Sequence, residues 1–219
     1  MSMELLIFDF DGLIIDTETP DLESWQEVFS KFGRELPLEV WAHSIGAAPN
    51  VFDPCAYLEH VIGRRVDRDE IREWRRRRFF DLVERQPVLP GIRQYLEDAP
   101  GLGLRCTVAS SAPRSWVIGH LERVNLLDRF CCIKCSDEIP LAKPHPALFL
   151  AVLEATGVPA SKAVVLEDSP NGVTAAAAAG IFCVAVPNPV TESLGLDRAD
   201  LLVNSLAEVP LAELVTRFG

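Results

Sequence analysis

The chain has 219 residues, 48% of them hydrophobic and 24% charged, and carries a net charge of −11. That length can bury a real core, in one large domain or in a main domain with a smaller companion. The acidic balance disfavours nucleic acid as a partner, and with no run of about twenty apolar residues no transmembrane helix is expected.

The first element is the most informative. Leu5-Leu6-Ile7-Phe8 is apolar without alternation, the pattern of a central strand buried on both faces. It ends in Asp9-Phe10-Asp11-Gly12. Positions i and i+2 of a strand point the same way, so Asp9 and Asp11 would emerge together at its carboxyl end. Two acids there are costly unless a cation or another partner offsets them, which makes them site candidates.

Between Thr17 and Gln86 the pattern is helical, without a convincing strand. Leu22, Trp25, Val28, Phe29 and Phe32 recur at steps of three and four within a predicted helix from Pro20 to Phe32. Further helices are expected over Leu38–Ser44, Asp53–Ile62 and Asp69–Arg85, with Gly46 to Asn50 as loop. From Pro87 the texture changes to alternating elements. Helices are predicted at Ile92–Ala99, Arg114–Val124, Pro146–Thr156, Asn171–Ala179 and Leu211–Phe218. Strands are predicted at Leu104–Ala109, Cys131–Lys134, Ala163–Leu166, Phe182–Val186 and Leu201–Val203. Such alternation implies a Rossmann-like, doubly wound parallel α/β sheet with ligands at the carboxyl ends of its strands. Residues 1–16 and 87–219 are therefore expected to form an α/β core, and 17–86 an inserted helical cap domain hinged near Asp16-Thr17 and Gln86–Pro90.

Three more polar clusters fall at strand ends. Ser110-Ser111 follows the second strand, where hydroxyls and N–H groups can cradle phosphate or simply cap a helix. Lys143-Pro144 precedes a helix, and a lysine is a mobile positive charge suited to phosphate. Glu167-Asp168-Ser169 ends another buried strand, and with Asp9 these acids offer the oxygen ligands that Mg²⁺ prefers. His145, flanked by prolines, reads as a surface or packing residue. The cysteines Cys55, Cys106, Cys131, Cys132, Cys135 and Cys183 read as reduced packing residues. Cys132-x-x-Cys135 has zinc spacing but lacks a second half-site. Met1 to Glu4 does not start like a secretory signal, so a cytoplasmic protein, monomeric and without membrane partners, is expected.

Asp9-Phe-Asp11-Gly, Ser110, Lys143-Pro and Glu167-Asp168-Ser resemble the four motifs of the haloacid dehalogenase-like phosphohydrolase superfamily. The closest likeness is to the branch of β-phosphoglucomutases and small-metabolite phosphatases, which insert a helical cap after the first motif. The resemblance covers the core nearly end to end. It implies that Asp9 is the nucleophile forming an aspartyl-phosphate and that Asp11 is the general acid and base. It also implies Mg²⁺ held by Asp9, Asp168 and the Asp11 carbonyl with help from Glu167. Ser110, Ser111 and Lys143 would bind the phosphoryl group. The implied activity is a Mg-dependent phosphatase acting on a small phosphorylated metabolite, of sugar phosphate or nucleotide type. The alternatives are a phosphosugar mutase and a non-catalytic binding protein.

Two departures disfavour the mutase. Pro49 stands where mutases carry a phosphate-gripping arginine, and Asp21 takes the place of a cap histidine. The arginines at 64, 65, 68, 72 and 75–78 are expected mainly as a solvated face paired with Asp69, Glu70 and Glu73. One or two of them reaching the active-site mouth is the functional alternative.

Overall fold

The computed structural model describes residues 2–41, 52–139, 141–192 and 194–218. The expected cap loop around Gly46 and Pro49, and the end of the helix predicted to Ser44, lie outside them. The chain divides into two compact units, Met1–Ile15 with Pro87–Gly219, and Asp16–Gln86.

The larger unit is built on six parallel strands in the order β3-β2-β1-β4-β5-β6. They are β1 (Leu5–Phe8), β2 (Arg105–Ala109), β3 (Cys132–Lys134), β4 (Ala163–Glu167), β5 (Phe182–Ala185) and β6 (Leu201–Leu202). This is a doubly wound α/β sheet, as the alternation of elements predicts. Winding proceeds outward from β1 in one direction through β3 and then in the other from β4. The reversal lies between β1 and β4, the place where such sheets bind ligands. There Phe8 pairs with Leu166, so Asp9 and Glu167 leave neighbouring strands side by side.

The uninterrupted apolar run of β1 has a direct cause. Leu6 and Phe8 pack into one core, with Val108, Leu166, Tyr95 and Leu121. Leu5 and Ile7 pack into the other, with Phe149, Val165, Val173 and Ala176. Helices α5 (Ile92–Asp98), α6 (Arg114–Arg123) and α9 (Leu211–Phe218) contribute to the first core, and α7 (Ala147–Thr156) and α8 (Pro170–Ala178) to the second. Both faces of the strand are thus covered, and there is no polar side to alternate with.

The smaller unit holds α1 (Glu18–Lys31), α2 (Leu38–Trp41), α3 (Pro54–Ile62) and α4 (Arg68–Val83), and no strand among its described residues. Helix α1 begins two residues before the predicted start. Pro20 sits in its first turn, where no N–H is needed from it. The arginines of α4 correct the sequence expectation in part. Arg77 pairs with Glu73 within the helix, but Arg68, Arg75 and Arg78 find acids outside it. Arg75 pairs with Asp21, and Arg78 clasps Glu27 on α1 at 2.6 and 2.9 Å. Arg68 bridges Glu59 and Asp53 around α3. Four consecutive arginines must point around the helix axis, so those facing other helices find acids there rather than one turn along α4.

No helix among the described residues is long and apolar enough to cross a membrane. The six cysteines are free thiols, with Cys55, Cys106, Cys135 and Cys183 buried.

The carboxyl-terminal segment is tied to α5 by a buried hydrogen bond, Tyr95 Oη donating to the Val209 carbonyl at 2.7 Å. Tyr95→Phe leaves that carbonyl without its partner and is expected to cost about 1–3 kcal/mol, read as a lower urea midpoint. An unchanged midpoint would show that the bond contributes nothing.

Candidate active site

The site is assembled by the ends of strands, and its centre is a lysine. Lys143 lies in the connection between β3 and α7, with its side chain only 5% exposed. All three ammonium hydrogens are committed within the protein. They go to Asp9 Oδ1 at 2.5 Å, Glu167 Oε1 at 2.6 Å and the Ala109 carbonyl at 2.9 Å. These acceptors end β1, β4 and β2, so one side chain ties three adjacent strands together at their carboxyl ends. The ammonium also lies 5.0 Å from the centre of the Phe149 ring.

Asp9, Glu167 and Asp168 are all buried, and each places a carboxylate oxygen within 4.8 Å of the others. Burial pushes the Asp9 pKa up from its ordinary value. The Lys143 charge opposes that rise, and the Glu167 and Asp11 carboxylates add to it. For Lys143, burial alone would lower the pKa, but Asp9 and Glu167 together outweigh it and hold the lysine above its usual range. When all three carboxylates are ionised, the one ammonium leaves two negative charges uncompensated. An all-oxygen, doubly negative cluster is what a hard divalent cation such as Mg²⁺ would offset, so the residues fit that metal.

Glu167 is the most constrained member. Oε1 accepts from Lys143, while Oε2 accepts from the backbone N–H groups of Asp168 and Ser169 and from the Ser169 hydroxyl, each at 3.0 Å. Ser169 is also the N-cap of α8, its oxygen accepting from the Gly172 N–H at 3.1 Å, with Pro170 at the first helical position. A Cβ at Gly172 would overlap the Glu167 carboxylate. The glycine is needed there for space, not for backbone conformation.

Asp11 sits on the turn after β1, where Gly12 has φ +78°. The Trp116 indole N–H donates to Asp11 Oδ1 at 2.9 Å from α6, and its ring meets that of His120 at 4.1 Å. Ser110, 1% exposed, ends β2, and its hydroxyl oxygen accepts from the Ala112 N–H at 3.0 Å. This is a local turn and not a helix cap, because α6 starts after Pro113 with no side-chain cap, and the Ser110 hydroxyl keeps a proton to donate elsewhere. Ser111 beside it is exposed, as is His145. The structure thus brings Asp9, Lys143, Glu167 and Asp168 into direct contact or close proximity, with Asp11 and Ser110 at the adjoining strand ends.

Two residues around this site carry no motif. Trp116 looks in sequence like one more apolar helix position, and its indole donor is the signal. Asn188, in the loop after β5, donates to Asp168 Oδ2 at 2.7 Å. Only the strand order reveals that it lies there.

A sequence profile of the haloacid dehalogenase-like hydrolases matches residues 6–186. The chain belongs to this family. It is 43% identical over 97% of its length, and 96% of the other chain, to a Bacillus subtilis protein named "Putative phosphatase YhcW". It is 30% identical to the phosphorylated carbohydrates phosphatase of Thermotoga maritima, covering 82% of each chain. Among solved structures, a haloacid dehalogenase family hydrolase from Deinococcus radiodurans shares the fold with a TM-score of 0.84 at 22% identity. That match covers 100% of this chain and 97% of the other.

The space constraint at Gly172 makes a direct prediction. Gly172→Ala must displace the Glu167 carboxylate, and is expected to lower stability by at least about 1–3 kcal/mol in urea unfolding. A variant with the wild-type midpoint would mean that the carboxylate is not held as described.

Proposed function

We propose that this enzyme is a magnesium-dependent phosphatase of small phosphorylated metabolites, of the phosphorylated-carbohydrate kind, working through an aspartyl-phosphate on Asp9. The observation that carries the reading is the clasp of Lys143 on Asp9 and Glu167 at the topological reversal of the sheet. The phosphatase named for phosphorylated carbohydrates among its relatives supports the substrate class.

With Oδ1 held by Lys143, Asp9 presents Oδ2 for attack on phosphorus. A bond forms from that oxygen to phosphorus as the bond to the ester oxygen breaks, and Asp11 gives its proton to the leaving oxygen. The Trp116 indole donates to Asp11 Oδ1 and so fixes the orientation of the carboxyl that carries the transferable proton. Asp11 then takes a proton from water as that water attacks phosphorus, and the bond from phosphorus to Asp9 breaks to release phosphate. The Ser110 hydroxyl and the Ser111 N–H serve as donors to the phosphoryl oxygens.

The donors of Lys143 are already engaged, so it acts on the transferring group through its charge. Glu167, with both oxygens taken up, serves chiefly to hold Lys143 and the start of α8. Asp9, Asp168 and the Asp11 carbonyl would hold Mg²⁺, which when bound supplies positive charge to the phosphoryl oxygens. The unit 16–86 serves as the cap that selects the substrate.

Activity with p-nitrophenyl phosphate and a panel of sugar phosphates tests the reading. Asp9→Asn should lose on the order of 10³-fold or more of the rate. Chelation should abolish turnover and added Mg²⁺ should restore it. Turnover that survives either treatment contradicts the proposal.

A further inference from the structure

We infer that Asn188, locked in orientation by Thr191, is a positioning residue that aims the Asp168 carboxylate for cation binding. The inference rests on the proposed role of Asp168, and it concerns a loop for which that proposal has no use.

The loop after β5 reads Val186-Pro187-Asn188-Pro189-Val190-Thr191. β5 pairs with β4, and the Val186 N–H continues the ladder to the Glu167 carbonyl at 2.7 Å, so the loop runs beside Asp168. Asn188 is 7% exposed and Thr191 is fully buried. The Asn188 side-chain oxygen accepts from the backbone N–H groups of Val190 and Thr191, both at 3.0 Å. The Asn188 N–H in turn donates to the Thr191 hydroxyl oxygen at 3.0 Å. Pro189, between donor and acceptor, brings no N–H of its own to compete and restricts the turn.

This ring of bonds removes the usual ambiguity of an amide. Two N–H donors face Oδ1, and an NH₂ group could not replace the oxygen there. Nδ2 must therefore point the other way, where it meets Asp168 Oδ2 at 2.7 Å and the Gly12 carbonyl at 3.4 Å. Gly12 fits this packing closely, since a Cβ on it would overlap Asp168 Oδ2 and come within 2.8 Å of Asn188 Nδ2.

The choice of an amide has a chemical consequence. A lysine or arginine at this place would orient Asp168 but cancel its charge, and would compete with a cation for the carboxylate. A neutral donor fixes the carboxylate plane through Oδ2 and leaves the negative charge of Asp168 uncancelled. Partners of this kind, which hold a ligand without touching the metal, typically change metal affinity by about 10–100-fold when removed.

Titration calorimetry with Mg²⁺ alone, on the full chain without substrate, tests this. Asn188→Ala should weaken Mg²⁺ binding by about 10–100-fold. The Mg²⁺ concentration for half-maximal phosphatase activity should rise in parallel, with kcat recovering at saturating Mg²⁺. Thr191→Val removes the hydroxyl that accepts the Asn188 backbone N–H and so loosens the turn that presents the amide; it should weaken Mg²⁺ in the same direction, and it stands in should Asn188→Ala not fold. Tyr95→Phe, which lowers stability away from the site, should leave Mg²⁺ affinity unchanged. Wild-type Mg²⁺ affinity in Asn188→Ala, or in Thr191→Val where only that variant folds, overturns the inference while leaving the proposed function standing. Failure of the wild-type chain to bind Mg²⁺ overturns the metal reading, and this inference with it.

Discussion

The structure depends on keeping several carboxylates buried at one point. Asp9, Glu167 and Asp168 lie at the junction of β1 and β4, and Lys143 is the ammonium that joins the first two. Removing one partner of a buried ion pair typically costs about 3–5 kcal/mol, because the other charge stays behind without compensation. Much of the surrounding architecture reads as provision against that cost. Backbone N–H groups from the start of α8 satisfy Glu167, Phe149 lies beneath the ammonium, and the Ala109 carbonyl takes its third hydrogen. The charge that remains is the charge a divalent cation would complete.

That constraint also explains why the small residues stand where they do. Gly12 and Gly172 each lie against a carboxylate of the cluster, Asp168 in one case and Glu167 in the other. Glu167 takes backbone donors at the start of α8, and Asp168 meets the Asn188 amide beside Gly12, so neither place has room for a Cβ. The family match and the phosphatase relatives are consistent with a site organised around phosphoryl transfer, in which positioning and charge compensation do most of the catalysis.

Much of this was legible in the sequence, and for identifiable reasons. β1 could be read because burial on both faces removes alternation from a strand, and Leu5 to Phe8 shows none. The strand-end placement of Asp9, Ser110 and Glu167 followed from the alternation of elements, which fixes where a parallel sheet puts its polar ends. Other features depend on adjacency that only the folded chain creates. The partners of Arg75 and Arg78 lie on α1, some fifty residues away, so local spacing pointed to the wrong acids. Trp116 and Asn188 belong to no local pattern that marks chemistry. Their places follow from α6 packing over the end of β1 and from β5 lying next to β4. Glu167 was readable as an acid at the site, but its engagement with Lys143 and the α8 N-terminus was not.

The central claim is that Asp9, held by Lys143, takes the phosphoryl group. Its most direct test is to quench the enzyme in acid during turnover of a phosphate ester, reduce the acyl phosphate with borohydride, and map the modified residue by peptide mass spectrometry. The account predicts reduction to homoserine at position 9, absent without substrate. Modification at Asp11, Asp168 or any other residue, with Asp9 intact, would contradict it.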